Sequence, residues 1–295
     1  MKKHIFCVFF AVASIVFASL LIRFSETGPI ASGGYRLLLS IPILMVLGFI
    51  NSGSFNEEKL NRSIILSSIL AGLFFALDLG VYNASILYTS LAEATLLTNM
   101  APFIIAPISV IFFKERISAK FLIAVLLSIS GLYLLMGKNQ IDAKHLSGDW
   151  LALLSALFYA LFLIFIKKAA ANYSVNRVMI MVCLSGAIIL FLFAMINNET
   201  MFPHSIWGWF ILIMIAVSGQ LLGQTLLAYG IKFLPLQLSS LFLLLSPIFA
   251  AIYAYIAFYE TLNLIQIGGI IIILIAIYIG KRILEQKNKT NSKSE

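Results

Sequence analysis

The sequence predicts an all-α membrane protein of ten transmembrane helices, arranged as two inverted five-helix repeats around a central cavity. Three observations carry this prediction: the excess of apolar residues, the placement of basic residues between apolar runs, and a 145-residue offset at which the two halves match. Of 295 residues, 61% are hydrophobic and 11% charged. Soluble domains hold roughly 45–50% apolar and ~25% charged residues. A water-soluble fold could not hide that much apolar surface, so lipid must solvate part of it. The apolar residues come in unbroken runs, such as 64–77 and 267–279. A membrane β-barrel would show alternating segments of ~10 residues instead. Each helix needs ~20 mostly apolar residues to cross ~30 Å of hydrocarbon. Ten of them leave short loops and no soluble domain.

The spans read as 4–22, 30–50, 63–86, 91–113, 117–136, 149–166, 177–196, 207–230, 235–258 and 262–280. The first begins Met-Lys-Lys and contains Ala11-Val12-Ala13, a pattern shared with cleavable signal peptides. Its apolar run continues to Ile22, and the helix count requires it, so it is read as a span. Residues 83–90 are only mildly polar, so the turn between the third and fourth spans must be tight.

Loop charge tests the count through the positive-inside rule. With the N-terminus in the cytoplasm, the inner loops hold Lys2 and Lys3; Lys59 and Arg62; Lys114, Arg116 and Lys120; Lys167, Lys168 and Arg177; Lys232; and Lys281, Arg282, Lys287, Lys289 and Lys293. The outer loops hold only Arg23, Lys138 and Lys144. Losing or adding one span would invert every later loop and destroy this bias. Ten spans with both termini cytoplasmic follow, in the plasma membrane (a bacterial inner membrane). The net charge of +8 is explained by these loops. No basic domain stands outside the spans, so nucleic acid is not an expected partner.

At the 145-residue offset Leu91 meets Leu236, Leu96 meets Leu241, Pro102 meets Pro247, Ala106 meets Ala251, Glu115 meets Glu260 and Tyr133 meets Tyr278. Matched Leu or Ile residues are cheap in apolar helices; a matched Pro and Glu thirteen residues apart are less so. Residues 1–137 form the first five-helix repeat, 138–148 an outside linker, 149–281 the second repeat and 282–295 a charged cytoplasmic tail. Five is odd, so the second repeat enters the membrane from the opposite side. Inverted repeats that rock around a shared site are an architecture of secondary transporters.

Three stretches resemble the EamA-type branch of the drug/metabolite transporter superfamily. They are Tyr35-Arg36-Leu37-Leu38-Leu39; Tyr88 through Pro102 and on to Phe113-Lys114-Glu115; and Gly223-Gln-Thr-Leu-Leu-Ala-Tyr-Gly230 with Leu234-Pro235, Ser246-Pro247 and Tyr259-Glu260. The likeness covers nearly the whole chain. It implies a ten-helix carrier with a central cavity, moving small organic metabolites. Similar sequences often carry Asn where Glu93 stands here, so substrate preference could differ if Glu93 faces the cavity.

Polar residues inside the spans mark the candidate cavity. A carboxylate at membrane depth costs ~2.5–3.5 kcal/mol on insertion scales, so Asp78 should face protein or a water-filled cavity. Tyr82 is four residues on and shares its face. Gly72, Ala76 and Gly80 form a small-residue stripe on a roughly opposite face, suited to close helix packing. Asp78 either binds substrate or a coupling proton, or is a structural carboxylate bonded to a neighbouring helix. Its repeat equivalent is position 223, flanked by Gln220 and Gln224. These again share a face and are expected to line the same cavity or to bond between helices. Thr95 and Asn99 form a further pair, of which Ser240 and Leu244 are the equivalents, making the first-half side of the cavity the more polar. Glu93 lies nearer the outer end and could snorkel to water. Tyr159 and Tyr229 are aromatic candidates, with packing as their alternative role.

Arg36 could snorkel outward or pair with a carboxylate. Glu115 and Glu260 precede the fifth and tenth spans, where a helix macrodipole favours a carboxylate. Pro102 and Pro247 read as helix-interior prolines, each freeing a backbone carbonyl, and as hinges beside the cavity.

Chemistry other than transport lacks its residues. There is no P-loop. Cys7 and Cys183 fall in spans with no metal or disulfide spacing, and His4, His145 and His204 lie at helix ends or in loops. No enzyme activity, metal or cofactor is expected. The family that the sequence resembles includes exporters of amino acids and other metabolites, and the resemblance implies alternating-access export of a small organic metabolite, an amino acid or related solute, with a proton coupled through Asp78. An importer or exchanger of a nucleotide-like or S-adenosyl-type metabolite is the alternative within the class; a channel is the alternative outside it. Partners are the small-molecule substrate, the coupling proton and the bilayer. Oligomeric state is not readable.

Overall fold

The computed structural model describes residues 2–52, 61–85, 88–89, 91–113, 119–136, 146–171, 173–259 and 263–291. Glu115, Glu260, most of the 138–148 linker and residues 292–295 lie outside the described residues, as do the side chains of Glu93 and of 284–291. Every regular element among the described residues is helical. In chain order these are α1 (Lys2–Ile22), α2 (Pro29–Leu38 continued by Ser40–Ser52), α3 (Arg62–Ser85), α4 (Leu91–Thr98 and Ala101–Phe113), α5 (Ala119–Met136), α6 (Leu146–Ala170), α7 (Val175–Ile196), α8 (Ile206–Phe233 in three parts), α9 (Leu236–Leu243 and Ser246–Phe258) and α10 (Leu264–Asn291). The helices match the ten expected crossings. The last one runs on to Asn291, so the expected tail after 281 begins as a continuation of α10.

The packing has the two-fold character of an inverted repeat. The third helix of each half lies on the first two helices of the other: α3 packs on α6 and α7, and α8 packs on α1 and α2. The fourth helices meet each other, α4 on α9, and so do the fifth, α5 on α10. Aromatic stacking holds the α3–α6 contact, with Phe75 on Phe162 at 4.6 Å and Phe74 on Phe165 at 5.5 Å between ring centres. Small residues let backbones approach, as close helix packing in membranes requires. A Cβ at Gly72 of α3 would sit 2.6 Å from Val182 O and 3.0 Å from Gly186 N of α7. The α5–α10 crossing is likewise glycine on glycine, Gly131 against Gly269.

Three spans are broken next to a proline. In α4 the helix stops at Thr98, turns through Asn99 and Met100, and restarts at Ala101. In α9 it stops at Leu243, turns through Leu244 and Leu245, and restarts at Ser246. The bridging bonds repeat as well: Phe103 N donates to Met100 O at 2.9 Å, and Ile248 N to Leu245 O at 3.0 Å. Pro102 and Pro247 are therefore second residues of new helical pieces rather than helix-interior residues. The early turn of a helix tolerates a missing N–H because that donor has no intrahelical partner there. The third break, at Leu39 of α2, precedes Pro42.

One end of the bundle is fastened by two reciprocal carboxylate caps. Glu199, after α7, accepts from the amides of Ile30 at 3.2 Å and Ala31 at 2.8 Å at the start of α2. Glu26, after α1, accepts from the amides of His204 at 2.7 Å and Ser205 at 3.0 Å, and from Ser205 Oγ, at the start of α8. Each satisfies amides that a helix start leaves open. The Ser205 hydroxyl and these amides hold the Glu26 carboxyl below the usual carboxylate range. A lowered folded pKa gives a contribution that is present above the unfolded pKa and lost as pH falls through the folded one. Glu26→Ala is expected to lower the thermal unfolding midpoint of the purified protein by a few degrees, and Glu26→Gln by less. Both differences should shrink when the melts are repeated below the carboxylate range.

Candidate functional site

A cavity of about 270 Å³ runs from mid-bundle toward the end that carries Glu26 and Glu199. Its walls come from both halves. From the first come Ile15, Val16 and Ser19 of α1, Arg36 of α2, Phe75, Asp78, Leu79 and Tyr82 of α3, and Thr95, Thr98, Asn99, Ala101 and Pro102 along α4. From the second come Tyr159 of α6, Gln224 of α8, and Leu243, Leu244 and Ser246 at the α9 break. The opposite end is closed beneath it: Gln237 Nε2 donates to Ser109 Oγ at 3.1 Å and Lys167 Nζ to Leu234 O at 3.2 Å, with the ammonium 4.8 Å from the centre of the Phe113 ring.

Two ionisable side chains of opposite type share this cavity, each almost fully buried. Asp78 is 7% exposed and Arg36 4%. Asp78 Oδ1 accepts from Ser155 Oγ of α6 at 2.6 Å. Arg36 Nη2 donates to Gly219 O of α8 at 2.8 Å, and its guanidinium lies 5.6 Å from the centre of the Phe75 ring. Arg36 therefore does not snorkel outward; it shares the cavity with the Asp78 carboxylate but gives its hydrogen bond to a backbone carbonyl. Its Nε is buried without a hydrogen-bond partner. Tyr82 OH and Thr95 Oγ1 are 3.2 Å apart and join α3 to α4. Asn99 Nδ2 donates back to Thr95 O at 2.8 Å, filling acceptor capacity just before the break.

The structure thus gathers Asp78, Tyr82, Thr95, Asn99, Tyr159, Gln224 and Pro102 around one space. Four other sequence candidates stand elsewhere. Gln220 turns to α7, where its Nε2 donates to Cys183 Sγ at 3.2 Å. Both glutamines lie in Ala216–Thr225, which is π-helical, with wider turns than the flanking α-helical Ile206–Ile215 and Leu226–Phe233. Gln220 is met by the Cys183 thiol of the neighbouring helix, whereas Gln224 lies on the cavity wall. Tyr229 lies at the closed end among His4 and Phe233, with ring centres 5.6 and 5.2 Å away. Ser240 is fully buried and its hydroxyl donates to Gln237 O of its own helix at 2.9 Å. Pro247 lies one residue beyond the lining Ser246. The backbone of Glu93 is helical, but its side chain lies outside the described residues.

Sequence reasoning missed Ser155, Ser246 and the α1 wall. A single serine in an apolar helix carries no signal of what it bonds across the bundle. Among the described residues no three His, Cys, Asp or Glu side chains converge as a metal site.

Comparison with known proteins gives a concordant result. The EamA-like transporter family matches residues 3–137 and again 146–280. An uncharacterized transporter of Archaeoglobus fulgidus is 30% identical over 211 residues, covering 71% of this chain and 74% of the relative. The uncharacterized transporter YetK of Bacillus subtilis is 25% identical over 256 residues, covering 84% of this chain and 77% of the relative. A solved crystal structure superposes with a TM-score of 0.83 at 14% identity, over 96% of this chain and 98% of the other, a likeness of fold. With a cavity between two matched halves and the family description met twice along the sequence, this chain belongs to the EamA-like transporter family and is a multi-pass membrane transporter.

Proposed function

We propose that the protein is a secondary carrier for a small zwitterionic organic solute, an amino acid or close relative, which it exports by alternating access. The observation that carries this reading is the pair of buried opposite charges on one cavity, Asp78 and Arg36. Two ionised groups at membrane depth are costly. Each would gain a partner from a solute that brings an ammonium and a carboxylate together. The cavity volume falls just below the ~300–1,000 Å³ usual for ligand pockets, which favours a small solute over a nucleotide-like one. Tyr82, Thr95, Asn99, Tyr159 and Gln224 supply neutral hydrogen-bonding groups around the charges. A substrate between the halves, with one end of the bundle closed beneath it, suits rocking of inverted repeats. Pro102 and Pro247 sit where such motion would bend α4 and α9.

The repeats are assigned to 1–137 and 149–281 on the 145-residue offset, and both termini to the cytoplasmic side of a bacterial inner membrane on the loop-charge bias. Asp78 is the group proposed to exchange a proton with the cycle. The test is counterflow in proteoliposomes, preloaded with an unlabelled mixture of the twenty proteinogenic amino acids and supplied with trace labelled ones. Saturable uptake that is stimulated by the internal pool is expected. Flux that neither saturates nor responds to the internal pool would support a channel. No flux of any amino acid would overturn the solute class.

A further inference from the structure

The widened stretch of α8 and the buried Arg36 form one unit. Arg36 Nη2 donates to Gly219 O, a carbonyl inside the π-helical Ala216–Thr225. Nothing larger than glycine fits there: a Cβ at Gly219 would lie 2.7 Å from Arg36 Nε and 2.8 Å from Ala18 Cβ of α1. Gly223, one turn on, presses against α1 as well, its added Cβ 2.7 Å from Ile15 Cγ1. Thr225 Oγ1 donates five residues back to Gln220 O at 2.8 Å, the spacing of a wide turn. Three buried polar atoms in this small region have no hydrogen-bond partner: Arg36 Nε, Gln220 Oε1 and Gln224 Oε1. Two of these residues, Arg36 and Gln224, line the cavity.

A π-helical stretch is less favoured than α-helix and persists where surrounding contacts hold it. Among the contacts made here is one from a guanidinium that also faces the cavity. Its bond to Gly219 O is to a neutral acceptor; a carboxylate would give it a stronger, charge-assisted and bidentate one.

We propose that Arg36 is the anion-binding group of the cavity and that it takes the anion in exchange for the Gly219 carbonyl, so that occupancy of the cavity changes the winding of α8. Arg36 is then a substrate ligand and, through Gly219, a positioning residue for Gln224. Rewinding of Ala216–Thr225 turns Gln224 relative to the cavity and moves the stretch that carries Gly219 and Gly223 along α1. The choice of amino acids as first probe rests on the carrier reading above; the link between Arg36 and α8 does not.

The experiment is hydrogen–deuterium exchange of the full chain in nanodiscs, read over residues 214–228. It is run with no addition, with the twenty amino acids, and with their carboxamides, which lack the carboxylate. Bound amino acids are expected to change exchange in this stretch at least fivefold, and the carboxamides are expected to leave it unchanged. Arg36→Gln is expected to raise exchange there without any ligand and to abolish the response. Arg36→Lys, which keeps the charge without the planar fork, should recover only part of it. Retained wild-type exchange in α3 and α7 shows that the variants are folded. Wild-type exchange in 214–228 of Arg36→Gln, or an equal response to carboxamides, overturns the proposal. If no amino acid binds, the solute class fails by itself, and acetate, propionate and butyrate are compared with their amides in the same assay. No response to any carboxylate overturns the exchange of partners.

Discussion

Replacing Asp78 by asparagine is expected to abolish accumulation driven by a pH gradient and to weaken solute binding tenfold or more, while leaving the fold intact. Asparagine has nearly the shape of aspartate and still offers an oxygen to Ser155 Oγ, which bonds Asp78 Oδ1 at 2.6 Å. The helix therefore keeps its contact with α6. What disappears is a negative charge and a proton-binding site on the cavity wall. Hydrogen bonds to charged groups contribute ~1.5–3 kcal/mol, and ~1.4 kcal/mol is a factor of ten in affinity. The measurement is solute uptake into proteoliposomes under an imposed pH gradient, beside counterflow with no gradient. Loss of the first with a surviving, weaker second is the expected pattern. Full accumulation by the asparagine variant would remove Asp78 from proton coupling. Ser155→Ala is the milder companion: the carboxylate remains but loses its anchor, so affinity should fall less than in Asp78→Asn.

The largest effect on stability is expected at Gly72. Its missing side chain leaves room for the backbone of α7, and a Cβ there would lie 2.6 Å from Val182 O and 3.0 Å from Gly186 N. Those atoms belong to a helix backbone and cannot swing aside. Overpacking ordinarily costs ~1–3 kcal/mol and occasionally more, and an obstacle of this kind puts Gly72→Val at or above the top of that range. The α3–α7 contact would open beside the cavity wall that carries Asp78. Gly80 provides the contrast on the same helix face, because an added Cβ there meets the ring of Phe193, at 2.9 Å from Cδ2, and a ring can turn. Thermal unfolding in detergent should show Gly72→Val far below wild type and Gly80→Ala close to it. Equal midpoints for the two variants would show that the α3–α7 spacing adapts.

The order of crossings was legible because bilayer thickness sets helix length and loop charge is countable. The two-fold packing was legible from the Pro102–Pro247 and Glu115–Glu260 matches. The cavity was legible at Asp78, Tyr82, Thr95 and Asn99, since polar side chains at membrane depth must face something polar. The same argument could not say what they face. Gln220 and Ser240 are polar and buried too, yet their partners are Cys183 and a carbonyl of their own helix. Tyr229 gives no sign in sequence that it stacks among rings at the closed end. The winding of Ala216–Thr225 was unreadable because its contacts, such as Arg36 Nη2 to Gly219 O, come from residues distant in sequence. Arg36 was misplaced as well: a long cationic side chain part-way into a span ordinarily reaches out to water, and here Gly219 of α8 makes room for it inside.

The paired breaks in α4 and α9 have a consequence for electrostatics. Pro102 has no N–H, so Thr98 O is denied the donor it would have in an unbroken helix. The equivalent Leu243 O is in the same position, but there Ser246 Oγ donates to it at 2.5 Å. Position 101, the counterpart of 246, is alanine and has no hydroxyl to offer. One interrupted helix thus ends in a carbonyl with a serine cap of its own, and the other ends without that cap, at residues that line the cavity. The partial negative charge of a helix terminus belongs to the backbone. Unlike a carboxylate, a peptide carbonyl takes up no proton in the ordinary pH range, so its attraction for a cationic group does not vary with pH.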